Sequence, residues 1–140
     1  MKEDEEKTAY LQMIQEPIGR MSTASAIFKG FAATIVSGVA TLTYCEVHPT
    51  VLALSFVPVL LFALLDIYYL MLEKKYRYLF EQVRKGKHPV NFSMKLTKNS
   101  IAAKSRVWDC IQSPSIWLFY PVIIGILFAI YILKVKGVLS

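Results

Sequence analysis

Cysteine and histidine are scarce, at two each in 140 residues, and only 19% of positions carry a charge. Each scarcity excludes something. Cys45 and Cys110 are too few for a disulfide framework. His48 and His88 stand alone in their segments, so no metal-ligand spacing arises. A Gly-rich phosphate loop, HExxH and GxSxG are all missing. The expectation is a protein that is not an enzyme and uses no cofactor or metal. The opening MKEDEEKTAY is acidic and polar, without the basic and short apolar regions of a secretory signal.

What is abundant is apolar surface. The hydrophobic fraction is 55% and the mean hydropathy +0.44, too apolar for an ordinary soluble domain of this length. Three runs hold most of it. Residues 51–72 are apolar nearly throughout, with Asp66 the one acid and the pair Tyr68 and Tyr69 just before the charges begin. A helix rising about 1.5 Å per residue crosses a hydrocarbon core of about 30 Å in roughly 20 residues, so this run is long enough to span a bilayer. Residues 116–133 carry no charge, with Trp117, Phe119 and Tyr120 at one end and Tyr131 near the other, like aromatic belts. Residues 26–44 are a weaker run, rich in small and hydroxyl side chains, with Lys29 near the start able to snorkel. The predicted fold is an all-α membrane protein with three transmembrane helices.

Two further segments complete the organisation. Residues 1–25 form an amphipathic amino-terminal helix, with Tyr10, Leu11, Ile14, Ile18 and Met21 at helical spacing and a kink or break expected at Pro17. It packs on other subunits or the membrane interface, or rests on the chain's own cytosolic part. Residues 73–113 form a basic, helical region. Its first helix continues span two with the stripe Tyr76, Leu79, Phe80 and Val83, and Gly86 is the stop signal. An extended link and a short helix around 101–110 follow, and Ser113-Pro114-Ser115 reads as the turn that launches the last span. The connection 45–50 has no Lys or Arg, whereas residues 73–110 hold ten. Basic loops stay inside, so the amino terminus is expected in the cytoplasm of a bacterial inner membrane, with the carboxyl terminus outside.

Three features carry the functional expectations. Asp66 inside a span costs a few kcal/mol unless partnered, by Lys29, Arg20 or a neighbouring hydroxyl, or unless it lies hydrated near the interface. Thr34, Ser37 and Thr41 share a stripe that lines a water-filled path or, more commonly, makes helix contacts; Ala33 and Ser37 have close-packing spacing. The third is the basic set Lys74, Lys75, Arg77, Arg84, Lys85, Lys87, Lys95, Lys98, Lys104 and Arg106, interleaved with Tyr76, Tyr78, Phe80, Phe92 and Trp108. Two readings of it are open. It sets topology and holds acidic lipid headgroups, or it binds a specific anionic ligand by counterion release and base stacking. One hairpin and one further span cannot enclose a path, so any conduction requires several copies in a ring.

The pattern P-x-L-L-F-x-L-L-D-x-Y-Y-L-x-x-E-K-x-Y-R-x-L over residues 58–79, with I-x-R-M-x-x-x-S-x-x-x-K-G over 18–30, resembles a group of small bacterial three-span proteins. Some are encoded beside nucleotidyltransferases in phage-defence operons, and the membrane effectors of the Hailong anti-phage system look most similar. The resemblance covers most of the chain. It implies a homo-oligomeric ion channel, a tetramer, held closed by short single-stranded DNA of the oligodeoxyadenylate type that a partner nucleotidyltransferase supplies. Related effectors open on a nucleotide second messenger, so either sign of gating is implied. The alternatives are an accessory structural subunit of a larger membrane complex and a ligand-free pore-forming toxin.

Overall fold

The computed structural model describes residues 1–95 and 110–138. Its elements in chain order are α1 (Lys2–Leu42), α2 (Pro49–Leu54), α3 (Phe56–Arg84), α4 (Pro114–Trp117) and α5 (Phe119–Val135), with no strand among the described residues. Three stretches are long and apolar enough to cross a membrane: α1, α2 with α3, and α4 with α5.

Prolines decide where these stretches are interrupted. A proline cannot donate to the carbonyl four residues earlier, and its ring crowds the preceding turn. Span two breaks at Ser55, three residues before Pro58, and the Ser55 hydroxyl donates to the Leu52 carbonyl there. Span three breaks at Leu118, three residues before Pro121. Pro17 behaves differently. The kink or break expected there does not end the element, and α1 runs from Lys2 to Leu42 as one helix. The amphipathic segment and the first span therefore belong to a single helical element of 41 residues.

Helix ends follow local chemistry. Gly86, at φ 71°, closes α3: its N–H donates to Val83 and that of Lys87 to Gln82. This left-handed glycine with paired 6→1 and 5→2 bonds satisfies carbonyls that a helix end leaves bare. Gly137 closes α5 identically, through Leu133 and Lys134. His48, exposed in the connection, caps α2 by accepting from the Thr50 N–H at 3.3 Å.

The chain divides into two units, Met1–Ser25 with Ile67–Ile111 and Ala26–Asp66 with Gln112–Ser140. In the first, Tyr10 and Ile14 of α1 bury against Leu79 and Val83 of α3, with Leu11, Ile18, Tyr76 and Phe80 around them. The amphipathic face thus rests on the chain's own basic region. After Gly86 the residues up to Lys95 form a strap across this core, with Val90 and Met94 packed on it. The Tyr10 hydroxyl donates to the Ser93 carbonyl at 2.6 Å, and its ring lies 5.5 Å from Phe92. In the second unit Val36, Leu52, Val59, Ile116, Ile123 and Leu127 are buried. Val57, Leu60, Leu61, Leu64, Val122, Ile126 and Phe128 point outward, as a surface meant for lipid would.

Tyr10→Phe removes the strap's side-chain anchor, a bond worth about 1 kcal/mol net. Trypsin should then cut after Lys87 or Lys95 about fivefold faster. Burial also pushes the Tyr10 phenol above its ordinary 10.0. Its ionisation therefore favours the unfolded chain, and the first unit should lose stability as pH climbs past about 10.

Candidate functional site

Asp66 is fully buried in the middle of an apolar helix, which demands partners. It has them. Lys29 of α1 donates to one carboxylate oxygen at 2.5 Å, and the Tyr120 hydroxyl of α5 donates to the same oxygen at 3.1 Å. The Lys29 side chain keeps 18% exposure, while that of Asp66 has none. The Tyr120 hydroxyl also lies 3.3 Å from the Phe62 carbonyl. Of the partners expected for Asp66, Lys29 and a neighbouring hydroxyl are the ones in place. Rather than resting hydrated at an interface, the carboxylate joins all three apolar stretches at one point.

A second polar clamp closes the same unit. Lys134, near the end of α5, donates to the Thr43 and Cys45 carbonyls, each at 3.1 Å. These are carbonyls just beyond the end of α1, where a cation is favoured. The hydroxyls of Thr34, Ser37 and Thr41 each donate to the carbonyl four residues earlier, at 2.8, 2.9 and 3.0 Å. All three side chains are exposed on one stripe with Gly30 and Gly38, and their donors are already used within α1.

The basic set begins on the part of α3 that belongs to the first unit. Leu79 and Val83 are buried, whereas Arg77, Arg84 and Lys85 are exposed and Lys74 and Lys75 half-buried. Part of the positive charge is answered locally. Arg77 holds the buried Glu73 through Nε at 2.8 Å and Nη2 at 2.6 Å. Arg84 and Lys85 share Glu81, at 2.9 and 3.8 Å. Lys87 and Lys95 are exposed at the two ends of the strap, with Phe92 between them. Phe92 is 46% exposed at φ 52°, an unusual conformation for a bulky residue. A cleft of about 410 Å³ beside this face is lined by Gln15, Ile18, Arg77, Phe80 and Glu81. Lys98, Lys104, Arg106, Trp108 and most of the expected helix at 101–110 lie outside the described residues. Among the described residues no group of three His, Cys, Asp or Glu is placed to hold a metal.

Reading the sequence alone missed Tyr120, Lys134 and Tyr10 as tie points. Tyr120 and Tyr10 show only as apolar-pattern aromatics, and Lys134 only as a tail charge, because their partners lie 54 to 91 residues away. No family model matches this chain, and neither does any curated protein or solved structure.

Removing one member of a buried charge pair typically costs 3–5 kcal/mol, because the other is left uncompensated. Lys29 can still reach polar surroundings, so Asp66→Asn should destabilise the protein in detergent by about 3 kcal/mol, the low end of that range. Adding Lys29→Met to that variant should restore most of the loss. A denaturant titration of the wild type, both singles and the double variant measures the coupling.

Proposed function

We propose that this protein is a multi-pass membrane effector whose basic end senses an anionic ligand and gates a path through a ring of identical subunits. The observation that carries the reading is α3 itself. One uninterrupted helix, Phe56–Arg84, holds both the apolar span with Asp66 and the basic face with Arg77, Arg84 and Lys85. The basic half and the apolar half are thereby successive turns of the same helix.

The ligand is short single-stranded DNA or another nucleotide messenger made by a partner nucleotidyltransferase, the basic end lies in the cytoplasm, and the setting is bacterial defence against phage. Charge and rings support the ligand class: exposed Arg84, Lys85, Lys87 and Lys95 for phosphates, and half-exposed Phe92 for a base. Thr34, Ser37 and Thr41 form a polar stripe on an outward face of the apolar part of α1, which suits a water-facing role in a ring.

The test is reconstitution in liposomes with conductance recorded before and after addition of oligodeoxyadenylate. The variant Arg84→Gln/Lys85→Gln/Lys87→Gln spares Arg77, whose task is to hold Glu73. Losing three phosphate partners should weaken oligonucleotide binding by at least about tenfold and flatten its salt dependence. Helix content should not change. Equal affinity in the two proteins would remove the reading. The self-neutralised pairs Arg77–Glu73 and Arg84–Glu81 favour a second reading, an accessory subunit whose basic end only holds lipid. A monomer with no conductance and no bound nucleic acid would decide for it.

A further inference from the structure

Where the apolar part of α3 gives way to charge, a second cleft of about 380 Å³ opens in the first unit. Pro17, Arg20, Met21 and Ala24 of α1 line one side and Tyr69 of α3 the other. Its chemistry is graded. Met21, Ala24 and the ring of Pro17 are apolar, Tyr69 is amphipathic, and Arg20 is the one charge in the wall. Arg20 is exposed and has no hydrogen bond or ion pair among the described residues. Glu16 stands one turn earlier, where a pair is ordinarily favourable, yet it makes no bridge to Arg20. A guanidinium beside an apolar groove without a protein counter-ion is free to take an anion from outside.

The position selects which anion. Arg20 precedes the first apolar run at residue 26 by six residues, about 9 Å along a helix. Tyr69 belongs to the tyrosine pair that closes the apolar run of α3, the level at which amphipathic rings meet headgroups. Phosphates of a bilayer lie just outside its hydrocarbon, and a planar guanidinium takes a phosphate diester through two parallel N–H bonds. We infer that this cleft binds the phosphate of an anionic phospholipid, with Arg20 on the phosphate, Tyr69 beside the glycerol, and Met21 and Ala24 against the upper acyl chain. The inference rests on the spans crossing a bilayer and is independent of ligand gating. The same phosphodiester chemistry occurs in a free nucleotide, and depth in the membrane favours the lipid.

The experiment uses the full chain in nanodiscs or mild detergent, with native mass spectrometry reading retained lipid. Wild-type protein should keep phosphatidylglycerol in preference to phosphatidylcholine. Arg20→Gln should lower that retention about tenfold, as expected for losing a charge-assisted pair, with helix content and melting unchanged. Arg20→Lys, which keeps the charge but loses the fork, should fall between. Equal phosphatidylglycerol retention in wild type and Arg20→Gln overturns the proposal. So does displacement of the bound lipid by inorganic phosphate or a short oligonucleotide, which would assign the cleft to a free anion. If Arg20→Gln does not fold, the contrast between wild type and Arg20→Lys decides, and identical retention by those two counts against the fork.

Discussion

The second unit is organised around one buried carboxylate and the partners that satisfy it. Asp66 has no exposed surface, and one of its oxygens receives both the Lys29 ammonium and the Tyr120 hydroxyl. A buried carboxylate left without partners costs several kcal/mol, so the three helices are not free to separate there. Apolar side chains cannot impose this by themselves, since in a bilayer a leucine gains little by leaving lipid for another leucine. Polar contacts therefore supply the specificity that a water-driven core supplies elsewhere. The Lys134 clamp on the Thr43 and Cys45 carbonyls works in the same way at the other end of α5.

The first unit is held differently. Tyr10, Ile14, Leu79 and Val83 form a small aqueous-type core, and the strap adds Val90 and Met94 to it. Here burial itself is favourable, at about 25 cal/mol per Å² of apolar area removed from water. The charged pairs on the outer face, Arg84 and Lys85 around Glu81, are largely exposed and contribute within about 1 kcal/mol. Their value lies in the electrostatic face they present. The Glu73–Arg77 pair differs because Glu73 is buried, so Arg77 belongs to the fold as much as to the surface.

Much of this was legible in the chain, and what was not has a common cause. Apolar length and the absence of charge mark three spans without any tertiary information. Asp66 stands out as an anomaly, and the short CEVHPT connection places Lys29 and a neighbouring hydroxyl among its candidate partners. Which hydroxyl it is depends on how a third helix packs, and nothing local distinguishes Tyr120 from its neighbour Phe119. The strap reads as an irregular link because the residue that orders it, Tyr10, lies 83 positions from Ser93. Pro17 does not end the helix in which it lies. A proline removes a single backbone bond, and a helix of 41 residues packed along its amphipathic face absorbs that loss. The basic set was legible as composition, whereas its partial self-neutralisation by Glu73 and Glu81 required the turn-by-turn geometry of α3.

These magnitudes constrain how a gating signal would travel. A ligand shifts a conformational equilibrium only by its differential affinity for the two states, typically about 1–3 kcal/mol. Stripping Asp66 of its cation costs about 3–5 kcal/mol per chain. A ligand on the basic half of α3 is therefore too weak an agent to pull Asp66 away from Lys29 in each subunit. In the proposed ring, the motions within that limit are those that carry α1, α3 and α5 together at the level of Asp66. Were the proposed ring to form and conduct, its path would therefore open between chains, with Lys29, Asp66 and Tyr120 kept together within each.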